Sequence, residues 1–133
     1  KKGITPDLTE KVIGWVREVG LKPTPNVILG FPGETKDSAW KTIKFIEKIA
    51  PDAVGFYNVA TPFPGTPLYD TVKENGWLRI TDFDKYDTTR PIFETPQLSM
   101  KAWENFVKEH STITIYEGRI SLTKVGGSKF LQQ

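Results

Sequence analysis

The chain contains no cysteine. That excludes a disulfide framework, a thiolate zinc site and an iron–sulfur cluster held by this chain alone. Histidine occurs once, at His110, and methionine once, at Met100. A lone histidine on the apolar face of a predicted helix reads as a packed or boundary residue, because no second ligand lies near it in sequence. No apolar run approaches the roughly 18 residues that span a bilayer, and no signal-peptide pattern opens the chain. Charge of one sign is also lacking: 18 basic against 16 acidic residues leave a net charge of +2. Without a basic run to form a phosphate-binding stripe, nothing points to nucleic acid. The expected location is cytoplasmic, with no membrane partner. The chain has no initiator methionine and starts on Lys1-Lys2-Gly3, directly before a helix start.

What is present suffices for one ordinary domain. Of 133 residues, 38% are hydrophobic and 26% charged, so disorder is not expected. Thr5-Pro6-Asp7 reads as a helix start: a capping hydroxyl, a proline at the first position and an acid near the positive helix end. Leu8, Val12, Trp15, Val16 and Val19 follow at helical spacing, and Gly20 suits a C-terminal cap. The spacing predicts a helix over about residues 6–19. Asn26 to Gly30 reads as a strand without polar alternation, hence with both faces buried. Thr35 caps a helix carrying Trp40, Ile43, Ile46 and Ile49, stopped by Pro51. A second strand is expected over 52–60, and a short helix over about 67–74, ended by Asn75-Gly76. Residues 77–97, with Trp77, Phe83, Tyr86 and Phe93, read as a covering loop packed down on the rest. Ser99 caps a last helix with Met100, Trp103, Phe106, Val107, His110 and Ile113 on its apolar side, expected to reach about Glu117. The tail from Arg119 to Gln133 reads as mobile or packed on a partner.

This order is α/β with parallel strands. Two strands make a poor sheet, because both edges stay open. The pattern is that of a barrel or a doubly wound sheet with too few strands to complete it.

Two turns organise the chain, Gly30-Phe-Pro-Gly-Glu-Thr35 and Thr61-Pro-Phe-Pro-Gly-Thr-Pro67. Each follows a strand, where ligands gather in α/β proteins. The first offers backbone donors at a helix N-terminus, but Glu34 disfavours a phosphate there, since two anions would compete for the same donors. A tight turn with a capping acid is an equally open reading. The prolines stiffen the second turn, as a pocket wall or as plain structure. Asn58 and Thr61 could touch a ligand or satisfy loop backbone groups. Asp82, Asp84 and Asp87 lack the glycine and terminal glutamate of a calcium loop and read as solvated acids. No catalytic constellation and no metal site is expected within the chain.

Lys2-Gly-Ile-Thr5, Ile28-Leu-Gly-Phe-Pro-Gly-Glu-Thr35, Pro51-Asp52 and Thr61-Pro-Phe-Pro-Gly-Thr66, in this order and spacing, resemble the C-terminal half of the radical SAM core. The closest resemblance is to the class with an N-terminal cobalamin-binding domain (Fe–S oxidoreductases). It covers residues 1–76 strongly and 77–133 weakly, and the same division gives two regions: barrel half, then covering loop, C-terminal helix and tail. The resemblance implies the C-terminal portion of a partial (β/α)6 TIM-like barrel, with two parallel strands, flanking helices and a C-terminal helix. It implies S-adenosylmethionine and a [4Fe–4S] cluster in the parent enzyme, with cobalamin as a further cofactor the parent could hold.

By the family's Ile-x-Gly-x-x-x-Glu pattern, Ile28 packs on the adenine, Gly30 lets the backbone approach it, and Glu34 orients the loop. Backbone near Gly55 and Phe56 would meet the adenine edge. Asn58, Thr61, Pro64 and Gly65 would face the substrate side. The family's Cys-x3-Cys-x2-Cys loop, the first four strands and the cobalamin domain are absent, and Asn26 stands where a glycine often precedes the motif. The chain therefore reads as a fragment of a longer radical SAM oxidoreductase or methyltransferase, not catalytic alone. Its expected partners are the rest of the parent barrel, the small-molecule cofactor and, for the isolated fragment, a second copy. The alternative is a stand-alone α/β interaction or regulatory module without catalysis.

Overall fold

The computed structural model describes the backbone of residues 3–51, 56–110, 112–116 and 119–123, and the side chains of 3–51 and 57–106. The described elements are α1 (Pro6–Glu18), β1 (Asn26–Leu29), α2 (Lys36–Ile49), β2 (Phe56–Val59), α3 (Pro67–Glu74), α4 (Met100–His110), β3 (Thr112–Tyr116) and β4 (Arg119–Thr123). A 3₁₀ turn, Phe83–Lys85, interrupts the long segment between α3 and α4. β1 and β2 pair in parallel, Asn26 with Phe56 through to Leu29 with Val59, and α2 makes the crossover. The fold is α/β.

Capping sets the helix starts. The Thr5 hydroxyl accepts from the Leu8 amide at 3.2 Å, and Pro6 opens α1. Thr35 and Ser38 cap each other's amides at the start of α2, a reciprocal arrangement that satisfies two orphan donors. At the start of α3 the Thr66 hydroxyl accepts from the Tyr69 amide at 3.2 Å, again followed by proline.

The main core lies between the sheet and the helices. Val27 and Leu29 of β1 and Tyr57 and Val59 of β2 meet Ile43, Ile46 and Ile49 of α2, with Trp103 and Phe106 of α4. Burying each large aliphatic side chain contributes about 1.5–3 kcal/mol. Trp103 and Phe106 stack at 5.5 Å between ring centroids, and Phe106 meets Trp40 edge-on at 6.4 Å. A second, smaller core gathers Ala60, Val72, Tyr86, Ile92 and Phe93, with Trp77, Leu78 and Ile80 against it. The covering segment is thus anchored by its own apolar residues and by a bridge between Leu78 and Phe93. Phe83 departs from the expectation. It stays exposed on its 3₁₀ turn, edge-on to Tyr86 at 5.1 Å.

Two further expectations need correction. β1 is not buried on both faces: Val27 and Leu29 are buried, but Asn26 is exposed and Ile28 is 51% exposed. The described helices cover only one side of the two strands. The α1 stripe is open as well. Ile13 is buried, whereas Leu8, Val12, Trp15 (56%) and Val19 (71%) are exposed. The described elements hold α1 along another side, through the Arg17 guanidinium donating to the Ile49 carbonyl at 2.7 Å and Lys48 facing Glu10 at 3.8 Å.

Finally, α4 ends at His110 instead of reaching Glu117. Thr112–Tyr116 and Arg119–Thr123 form an antiparallel pair that the reading of the tail missed. Thr112-Ile-Thr-Ile-Tyr116 alternates with period two and is β-branched at four positions, which favours strand over helix. β4 comes within 8 Å of β2, Cα to Cα. The side chains of His110, Ile113 and Glu117, and the structure of residues 124–133, lie outside the described residues.

Candidate functional site

The open face of the β1–β2 pair and the two loops at its carboxyl end form one continuous surface. Along that face lie Asn26 and Ile28 of β1 and Asn58 of β2, with Ile28 directly opposite Asn58 in the register. The Asn58 Nδ2 donates to Asn26 Oδ1 at 2.7 Å, tying the strands by their side chains. The Thr88 hydroxyl donates to Asn58 Oδ1 at 3.2 Å. Phe56 pairs with Asn26 on the backbone, but its side chain lies outside the described residues, as does Gly55 altogether.

The first loop is closed by its own acid. Gly30 turns the chain with φ at +89°, a conformation that costs a side-chain-bearing residue about 1–2 kcal/mol. The Glu34 carboxylate accepts from the Gly30 amide. The Glu34 amide donates to the Phe31 carbonyl at 2.9 Å, and Gly33 also has φ at +89°. Glu34 therefore orders this loop, and in doing so takes up a donor that a backbone cradle would have used. A Cβ on Gly30 would meet Val59 Cγ1 at 3.6 Å, an ordinary contact, so the glycine is required by its dihedral and not by space.

The second loop repeats the first. Phe31-Pro32-Gly33 after β1 and Phe63-Pro64-Gly65 after β2 each precede a threonine cap, and Gly65 has φ at +84°. Thr66 donates its hydroxyl to the Phe63 carbonyl at 2.7 Å. Thr61 donates to the Val59 carbonyl at 3.0 Å, which is the backbone-satisfying role. Pro64 and Gly65 are exposed at the tip. Phe31 and Phe63 remain exposed, one on each loop. A shallow crevice beside this edge is lined by Gly30, Val59, Phe93, Thr95, Leu98 and Trp103 among others. The buried Thr95 hydroxyl there accepts from the Leu98 amide at 3.1 Å, so it is satisfied locally.

The acids of the covering segment build turns. Asp82 accepts from the Asp84 amide and faces Lys85 at 3.3 Å. Burial pushes the Asp87 carboxyl up, but hydrogen bonds from Thr89 and the Arg90 guanidinium outweigh it and hold it below its usual value. Glu94 is held low by Arg79, at 2.7 Å, and by the Met100 amide. On the opposite side of the sheet, burial and the Glu47 carboxylate push the Tyr57 phenol up.

Of the residues singled out in the sequence, the structure brings Ile28, Gly30, Glu34 and Asn58 to this surface. Three that reading missed are Phe31, Phe63 and Thr88. The repeated Phe-Pro-Gly was a usable signal for the first two. The surface consists of amides, an aliphatic side chain and exposed rings, with the Glu34 carboxylate engaged on the Gly30 amide and the Thr88 hydroxyl on Asn58. Amide, aliphatic and aromatic groups of this kind can hold a flat ligand with a polar edge.

No family model matches the chain. An uncharacterized methyltransferase of Pyrococcus horikoshii is 36% identical over 93 residues, 70% of this chain and 20% of that protein. Bacteriochlorophyllide d C-12(1)-methyltransferase of Chlorobaculum tepidum is 33% identical over 103 residues, 75% of this chain and 21% of the relative. A tRNA-2-methylthio-N(6)-dimethylallyladenosine synthase of Halorhodospira halophila is 34% identical over 87 residues, 59% and 18% of the two chains. This chain thus spans about a fifth of the length of the curated relatives it matches. Together they support the radical SAM superfamily, at low identity and over part of the chain.

Proposed function

We propose that this chain is the C-terminal part of a partial (β/α)6 barrel in a radical SAM enzyme, and that its open strand face is one wall of the S-adenosylmethionine pocket. The observation that carries this reading is Ile28. It is half exposed in mid-strand while Val27 and Leu29 beside it are buried. In a barrel that face points inward, where a ligand and the remaining strands cover it. The exposed α1 stripe fits the same reading as a surface for the neighbouring barrel unit.

The residues present fit an adenine-bearing cofactor. Ile28 offers a flat apolar contact, Gly30 brings bare backbone to the strand end, Glu34 fixes that loop, and Asn58 supplies an amide edge. The backbone of Phe56 belongs to the same wall in this reading, with Thr61, Pro64 and Gly65 toward the substrate. Bound S-adenosylmethionine supplies methyl-transfer or carbon-radical chemistry. A [4Fe–4S] cluster does not fit this chain, which has no thiolate; its ligands, like any cobalamin site, belong to the rest of the enzyme. The chain's own task is to bind and orient.

Gly30→Val in the longer enzyme tests this. A valine escapes the left-handed dihedral by moving the loop off the geometry that meets the ligand, and regaining it on binding costs about 1–2 kcal/mol, so S-adenosylmethionine should bind roughly tenfold more weakly in a titration. Unchanged affinity would contradict the assignment.

A further inference from the structure

Thr88 is the described non-glycine residue with a positive φ, +63°. A β-branched residue in that region is strained and persists only where its surroundings fix it. Two bonds fix it here, and both run to β2. Its carbonyl accepts from the Val59 amide at 2.8 Å, capping the end of the strand on the side away from β1. Its hydroxyl donates to Asn58 Oδ1 at 3.2 Å. The turn that holds Thr88 is itself clamped, with Asp87 accepting from the Thr89 amide at 2.9 Å and hydroxyl at 2.6 Å and facing Arg90 at 3.3 Å.

One lone pair of Asn58 Oδ1 is taken by Thr88 and one Nδ2 hydrogen by Asn26. The second Nδ2 hydrogen of Asn58 and both of Asn26 have no partner among the described residues. They sit beside Ile28 on the open face. The row is donor-rich, and its orientation is set from one end by Thr88.

We propose that Thr88 is a positioning residue: it locks the Asn58 amide so that the Asn58–Asn26 pair presents donors to the acceptor edge of a flat heteroaromatic ligand lying on Ile28. This rests on the reading of the open face as a cofactor wall and deepens it. Thr88 itself need not touch the ligand. Glycine would supply the dihedral without the hydroxyl, and valine the shape without the donor.

The test uses Thr88→Val, Thr88→Ser and Thr88→Gly in the longer enzyme that carries this chain, with S-adenosylhomocysteine as the probe. Nuclear magnetic resonance follows the Asn58 side-chain amide and the ligand titration together. In Thr88→Val the Asn58 Nδ2 resonances shift and exchange faster with water, and the probe binds roughly five- to tenfold more weakly, the scale of one hydrogen bond. Thr88→Gly weakens binding similarly while leaving the backbone shifts of β2 in place. Thr88→Ser restores both readouts. An unmoved Asn58 amide in Thr88→Val, or wild-type affinity in Thr88→Val and Thr88→Gly, overturns the proposal. If the unaltered longer enzyme does not bind the probe, the cofactor-wall reading fails with it. The Asn58 resonances still decide, by themselves, whether Thr88 sets that amide.

Discussion

Glu34 and Gly30 show how a few atoms set the shape of the first loop. The Gly30 amide needs an acceptor once the strand has ended, and the carboxylate four residues on supplies it. Glu34→Ala removes a charge-assisted hydrogen bond, so the chain should lose about 1.5–3 kcal/mol of stability in urea unfolding. A loss below about 0.5 kcal/mol would place Glu34 among ordinary surface residues. The link was legible in outline, because the spacing put an acid at the end of a Pro-Gly turn. Thr88 was not legible. Nothing in the local sequence Asp87-Thr88-Thr89 marks a positive φ, since the conformation is imposed by β2 from a distant part of the chain.

At the scale of elements, α1, α2 and α3 could be read almost to the residue, because each opens on a threonine cap and has an apolar stripe. The end of α4 could not. Its helical spacing continues through Ile113, and the overlapping period of the Thr-Ile-Thr-Ile run prevails only once that run pairs with Arg119–Thr123. What α4 does is clearer than where it ends. Trp103 is buried against the main core and stacked on Phe106. Trp103→Ala should therefore cost about 3–5 kcal/mol, read from the urea midpoint, while an exposed-face change such as Lys101→Ala should stay within about 0.5 kcal/mol.

The covering segment has a pH dependence of known sign. Asp87 and Glu94 both titrate below their usual values in the folded chain. Their contribution is present above the unfolded carboxylate range, about pH 4, and is lost as pH falls through the folded values. Below that range the amides of Arg79, Ile80 and Glu94, which donate to the Ile92 and Trp77 carbonyls, should exchange faster relative to those of α2. Equal relative protection at neutral pH and at about pH 3 would show that these carboxylates do not hold the segment.

For the whole molecule, the informative feature is apolar surface that no described residue covers. The α1 stripe and Ile28 are exposed, as are Phe31, Phe63 and Phe83, beside two cores formed by the buried apolar residues. The parallel pair was legible as too small a sheet to stand by itself; which faces it leaves open was not, because burial depends on tertiary neighbours that local periodicity does not reveal. We expect the isolated chain to self-associate at high concentration, and Trp15→Glu on the α1 stripe to reduce that association. Light scattering that shows a clean monomer for the unaltered chain would remove this expectation.

The most direct test of the central claim is the coding sequence upstream of Lys1. A (β/α)6 barrel needs four more strands before α1, and its cluster needs thiolates that this chain lacks. The account expects an in-frame Cys-x3-Cys-x2-Cys loop on the order of 100 residues upstream, room for the missing strands. A start codon close before Lys1 with no such loop would contradict it. The two Phe-Pro-Gly turns would then be the scaffold of a stand-alone α/β binding module.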